Sequence, residues 1–117
     1  MRKRVNLDEL EIQDVDHAEA GVRAVGYELR PEKMRPTVWT FEEGGYGPNH
    51  RQEEQEELYH VLSGRFEMAF ADETMTLDAG DVVVVSPEEE RQLRCLDDGE
   101  VFVVGAPNVK DDGVVVD

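Results

Sequence analysis

The chain has 117 residues, which suits one domain, and its 39% hydrophobic content can fill one modest core beneath a surface that must carry the 34% charged fraction. Lys and Arg number 12 against 28 Asp and Glu, giving a formal charge of −16; such a surface repels phosphate backbones and anionic lipid headgroups, which argues against nucleic-acid and membrane partners. Cys95 is the only cysteine, which excludes an internal disulfide and a disulfide-stapled secreted fold.

The opening Met1-Arg2-Lys3-Arg4 is basic like the start of a signal peptide. Asp8, Glu9, Glu11, Asp14 and Asp16 follow where an apolar run would be needed, so a cytoplasmic protein is expected. Beyond this point, short runs of β-branched and aromatic residues recur between turn residues, the pattern of an all-β sandwich or barrel. Strands are predicted near 5–13, 22–29, 36–42, 57–63, 65–71, 73–77, 81–86, 91–96 and 99–105. Trp39 and Phe41 share one face of their strand, as do Phe66, Met68 and Phe70 of theirs, and core packing is expected of all five.

Gly44-Gly45-Tyr46-Gly47-Pro48 is the strongest breaker and predicts a loop leading into His50. Ser63-Gly64 and Ala71-Asp72-Glu73 are predicted hairpin turns, and Ala79-Gly80-Asp81 a tight turn. Val82-Val83-Val84-Val85 is apolar at both parities and predicts a strand covered on both faces. No purely apolar run in the chain is longer than these four residues, far short of the roughly 20 residues of a membrane span. Val114-Val115-Val116 is left as either a frayed tail or an edge strand. Lysine occurs only at Lys3, Lys33 and Lys110, and acids recur in every segment, a profile that resembles proteins of salt-in halophiles.

Two stretches carry a family resemblance. Gly47-Pro48-Asn49-His50-Arg51-Gln52, continuing to Glu57 and Gly64, resembles the first cupin motif, and Gly80-Asp81 through Ser86-Pro87 to Arg91 and Cys95 resembles the second. The resemblance implies an all-β cupin-type jelly-roll β-barrel of two antiparallel sheets, formed by residues 1–117 as one domain, with a pocket between the sheets. It also implies a metal site of three histidines and a glutamate, of which this chain keeps His50 and Glu57. Gln52 stands at the second histidine's place, Arg91 at the third's, and Cys95 at the asparagine's; Ser86 and Glu88 replace a proline and a glycine.

These replacements change the chemistry. A transition-metal site wants imidazole, carboxylate or thiolate lone pairs. Gln52 offers a neutral amide oxygen, and Arg91 offers no lone pair because guanidinium stays protonated. A fixed charge about 4 Å from a dication costs on the order of 8 kcal/mol at an effective dielectric near 20. An inward Arg91 would instead face Glu57 across the barrel as a bidentate ion pair; the competing expectation has Arg91 leaning to the solvated mouth beside Glu88, Glu89 and Glu90.

The expected function is therefore binding of a small polar molecule, with a carboxylate that Arg91 could clamp as one option, in a pocket lined by His50, Gln52, Glu57, Tyr59, Arg91 and Cys95, without a cofactor. The alternative is a metal-dependent cupin enzyme, a dioxygenase or sugar isomerase, holding a divalent transition metal on His50, Gln52 and Glu57. His60 has the wrong strand parity for the pocket, and His17 belongs to a solvated loop. Cys95 is expected to be inert, and Glu53-Glu54-Gln55-Glu56 to form a solvated rim. Met68 and Phe70 could line an apolar floor. Apolar material in Val5–Ile12 and Val22–Leu29 exceeds what one pocket needs and predicts a homodimer.

Overall fold

The structure is a computed structural model that describes residues 1–116. Its elements are β1 (Ile12–Asp14), β2 (Gly21–Arg23), α1 (Val25–Leu29), β3 (Arg35–Phe41), β4 (His50–Gln52), β5 (Glu56–Phe70), β6 (Thr74–Asp78), β7 (Val82–Val85), β8 (Arg91–Ala106) and β9 (Gly113–Val115). The chain is an all-β jelly roll, as the sequence implies. One antiparallel hydrogen-bonded sheet of nine strands curls so that its two walls face each other.

Two long strands do the curling. β5 and β8 pair along most of their lengths, from Glu56↔Ala106 to Phe70↔Arg91, with register shifts between Val61 and Phe66 where both strands bend. On one side of the bend β5 also pairs with β7, and on the other with β6. The second half of β8 pairs with β3, which carries β2 and β1. Gly64 sits at the bend with φ +81°, and a Cβ there would lie 2.5 Å from the Asp98 carbonyl oxygen. Only glycine fits that position. Ser63-Gly64 is thus a bulge inside one continuous strand and not the predicted hairpin, because β8 pairs on both sides of it and leaves no room for a reversal. Ala71-Asp72-Glu73 does connect an antiparallel pair, β5 to β6, and Gly80, at φ +95°, turns the chain into β7.

The N-terminal prediction needs correction. Residues 5–13 do not form one strand: Leu7–Glu9 is a 3₁₀ turn whose Asn6 Oδ1 accepts the Asp8 N–H at 2.9 Å, and only Ile12–Asp14 pairs. Arg23 fastens the turn by donating from Nη1 to the carbonyls of Leu7 and Leu10 at 3.1 and 3.0 Å. A local Asn bond of this kind offers the backbone an alternative to a ladder. Residues 22–29 likewise split into β2 and α1, which Arg30 ends in the left-handed region at φ 52°. Gly26 lets this helix lie against Pro36, where a Cβ would approach the Pro36 carbonyl to 2.9 Å.

The core fills one end of the barrel. Phe66, Met68, Val61 and Val101 are fully buried, and Phe41 meets Phe66 edge-on with centroids 5.1 Å apart. Met68 and Phe70 pack in this core and not on the pocket floor. Val82 and Val84 are 56% and 63% exposed, so β7 is covered on one face only, contrary to the expectation from its sequence. With Leu58 and Leu62 they form an apolar outer surface. Among the described residues no helix is long and apolar enough to cross a membrane.

Candidate functional site

The other end of the barrel is open and holds a cavity of about 460 Å³. Its apolar lining includes Trp39, Phe41, Leu93 and Val103, and its polar lining His50, Gln52, Glu57, Tyr59 and Arg91. Trp39 therefore lines the cavity as well as packing against Phe41, its ring centroid 6.1 Å away. The residue before Glu57 begins β5, so strand alternation sends Glu57 and Tyr59 inward together and turns His60 out, as expected. His50 enters on β4, a strand the sequence did not reveal, which pairs with β9 and meets β8 at His50↔Arg91. The C-terminal segment is thus an edge strand, and its Gly113 and Val115 help wall the cavity.

Three donors converge on one oxygen of Glu57. Its Oε1 accepts from Tyr59 OH at 2.7 Å and from Arg91 Nη2 at 2.8 Å, and lies 3.3 Å from His50 Nε2. His50 Nδ1 faces the Pro48 carbonyl at 3.1 Å. Both ring nitrogens thus face oxygen acceptors. Burial alone would raise the Glu57 pKa, but the hydrogen bond and charge of His50, with Tyr59 and Arg91, outweigh it and hold the carboxyl at about 2. Tyr59 moves the other way: burial and the Glu57 charge push its hydroxyl far up, and it remains a donor.

Arg91 is inward and 1% exposed, which decides against the solvated-mouth expectation. Its contact with Glu57 is single and not bidentate, because the rest of the fork is engaged elsewhere. Nη1 donates to the carbonyls of Glu89, Pro87 and Ser86 at 2.7, 3.1 and 3.3 Å, and Nε to Tyr59 OH at 3.3 Å. The turn that carries Glu88, Glu89 and Glu90 closes around the guanidinium with its backbone oxygens. Burial opposes the charge, but Tyr59 and Glu57 hold Arg91 protonated. With its fork so occupied, Arg91 has no two-donor edge left to clamp a ligand carboxylate, which removes the clamp from the sequence expectation.

Gln52 is buried, and its Nε2 donates to Asp112 Oδ2 and Gln55 Oε1, both at 3.1 Å. Asp112 also accepts the backbone N–H groups of Glu54 and Gln55 at 3.0 and 2.8 Å, and these bonds outweigh burial to lower its pKa. Because Asp112 is acceptor-only when ionised, the amide orientation of Gln52 is fixed with its oxygen away from Asp112. Gln55 is buried too, donating to the Val109 carbonyl at 2.8 Å, so the predicted rim of Glu53-Glu54-Gln55-Glu56 holds one structural residue. Asp112, Gln55 and Arg35, which stands at the cavity edge, were missed by the sequence reading.

Cys95 is the clearest correction. It lies buried beside Phe66 in the core and away from the cavity, its Sγ donating to the Asp97 carbonyl at 3.0 Å. Burial first, then the carboxylates of Asp98, Asp97 and Glu43, push its thiol up to about 11. Cys95 keeps the strand parity of Arg91 and Leu93 but lies further along β8, beyond the last of them to line the cavity.

The donor set does not fit the metal that the fold implies. Among the described residues no three His, Cys, Asp or Glu side chains gather in a way that could hold an ion. Arg91 Nη2 stands 2.8 Å from Glu57 Oε1, and the guanidinium supplies charge of the wrong sign and no lone pair.

This curled barrel with motif residues at β4, β5 and β8 is that of a cupin, and the comparisons agree: the cupin domain profile matches residues 37–105. The chain belongs to the cupin domain family. It is similar in structure to KdgF from Halomonas sp., with TM-score 0.83, 21% identity, and 95% of this chain and 98% of that one covered. The polyketide cyclase RemF from Streptomyces resistomycificus gives TM-score 0.84 at 21% identity, covering 100% of this chain and 87% of that one. A sugar phosphate isomerase from Silicibacter pomeroyi gives 0.76 at 17%, covering 91% and 76%. No curated protein matches significantly. The neighbours' described activities differ from one another, so the shared fold assigns none of them to this chain.

Proposed function

We propose that the barrel cavity binds a small hydroxyl-bearing molecule, on a site where an ion pair replaces the family's metal. The observation that carries this is the asymmetry of Glu57. Its Oε1 takes all three donors, while Oε2 has no hydrogen-bond partner among the described residues and is not sealed off. A carboxylate held ionised with one oxygen open asks for a donor from the ligand. Gln52 Oε1 is a second acceptor without a donor among the described residues. Two acceptors in a cavity that Trp39, Phe41 and Val103 also line suit a molecule that carries both hydroxyls and apolar surface.

A Glu57 carboxyl held near 2 is a weak base, so the geometry supports binding over proton abstraction. The metal-dependent alternative on His50, Gln52 and Glu57 is disfavoured by the Arg91 guanidinium, a fixed positive charge 2.8 Å from Glu57 Oε1 that would repel a dication at this carboxylate.

The test is a titration of the protein with monosaccharides, polyols and hydroxy acids, read by the emission of Trp39, the only tryptophan. A saturable response that Glu57→Ala abolishes supports the reading. Silence across all three classes, or a response unchanged in Glu57→Ala, contradicts it.

A further inference from the structure

A second cavity, of about 620 Å³, lies outside the barrel between α1, the start of β3 and the segment after β8. Its charged lining is Arg30, Arg35 and Lys110, with no Asp or Glu. In a chain of 12 cationic and 28 acidic residues, three charged positions drawn at random would all be cationic about one time in 45. The ion pairs of the described residues engage Arg23, Arg51, Arg65, Arg91 and His50, and none of these three. Three like charges gathered in one groove, with so many carboxylates available elsewhere, repel one another until an anion offsets them.

The groove is also built. Asn108 joins its walls: Oδ1 accepts from Arg35 Nη1 at 3.1 Å, while Nδ2 donates to the carbonyls of Pro31 and Glu32 at 3.0 and 3.2 Å. Arg30 donates from Nε to the Tyr27 carbonyl at 2.9 Å and lies 4.5 Å above the Tyr27 ring. That arrangement orients the exposed guanidinium and leaves its two terminal nitrogens to donate outward. Tyr27 and Met34, both exposed, give the groove an apolar part beside the charges. Arg35, Val22 and Thr37 form a wall common to this groove and the barrel cavity.

We propose that this groove is a binding site for a small organic phosphate, its dianionic group between Arg35, Arg30 and Lys110 and its apolar part against Tyr27 and Met34. The proposal stands apart from the barrel site and survives its failure. Guanidinium forks and an ammonium match phosphate oxygens in number and geometry, and three cations suit a doubly charged group better than a single carboxylate.

The experiment is a two-dimensional amide NMR titration with phenyl phosphate, with phenol and inorganic phosphate as separate arms, at constant ionic strength. Saturable shifts are expected at the Asn108 side-chain amide and at Gly26 and Lys110, with the Trp39 indole unmoved. Arg35→Gln and Lys110→Gln are each expected to weaken binding about tenfold, the loss of one charge-assisted contact. Arg51→Gln, a cation outside the groove, is expected to change nothing. Absence of saturable shifts at the groove, or equal weakening by Arg51→Gln, would overturn the site. Equal affinity for inorganic phosphate and phenyl phosphate would overturn its organic ligand.

Discussion

Replacing Glu57 by Gln tests the ion pair without emptying the site. Glutamine keeps an oxygen for Tyr59 and Arg91 but removes the charge that holds Arg91 in a nearly sealed position. In the wild type the Glu57 pKa falls from 4.5 to about 2 on folding. A carboxyl depressed in this way stabilises the fold fully above its unfolded pKa and loses the contribution as pH drops through the folded value. At 1.36 kcal/mol per unit, the charge is worth about 3 kcal/mol at pH 6 and about 1 at pH 3. The other carboxylates titrate alike in both proteins and cancel in the difference. Urea unfolding followed by Trp39 emission at several pH values should therefore show the gap between wild type and Glu57→Gln shrinking by about 2 kcal/mol between pH 6 and pH 3. A gap that stays constant over that range would refute the coupling between Glu57, His50, Tyr59 and Arg91.

Cys95, buried and with its thiol raised to about 11, should react with a thiol reagent only as fast as the protein unfolds, and quick stoichiometric labelling of native protein would contradict its placement. Asp112→Ala should remove the side-chain ties to Gln52, Glu54 and Gln55 while the backbone pairing of β9 with β4 remains, and cost about 3 kcal/mol, since it strands Gln52 and two backbone N–H groups; a loss under about 0.5 kcal/mol in urea unfolding would show those bonds to be idle. The thermal midpoint should rise from dilute to molar KCl as the charge of −16 is screened to a Debye length of about 3 Å, and a flat response would remove the halophile argument. A homodimer, if formed, should use the uncharged outer surface of Leu58, Leu62, Val82 and Val84, the face on which two such acidic chains can approach; sedimentation of Val84→Asp should then give a monomer, and an unchanged dimer would place the contact elsewhere.

The barrel was legible because its evidence is periodic and local. Breakers at Gly44–Pro48, apolar runs such as Val82–Val85 and the spacing of His50, Glu57, Gly64 and Arg91 survive in one dimension. Strand parity placed Glu57 and Tyr59 inward and His60 outward. What failed was long-range or competed with local bonding. The Ser63-Gly64 bulge looks like a turn until β8 is seen pairing on both sides of it. The 3₁₀ turn at Leu7–Glu9 depends on Arg23 reaching back to its carbonyls. Asp112 and Gln55 were hidden by composition, since one buried acid among 28 acidic residues carries no signal in sequence. Cys95 was misplaced because strand parity gives the face of β8 it shares with Arg91 and Leu93 but not the depth at which the cavity ends and the core begins.

The central claim is that the Arg91 guanidinium has taken the place of a metal ligand and displaced the ion. Calorimetric titration with Mn²⁺ and Zn²⁺ in molar KCl, where loose binding to the acidic surface is screened, tests it on the wild type beside Arg91→His. No stoichiometric site is expected in the wild type and a gain of one in the histidine variant, with His50 and Glu57 supplying the other ligands. One tightly held ion per wild-type chain, lost in His50→Ala, would contradict it.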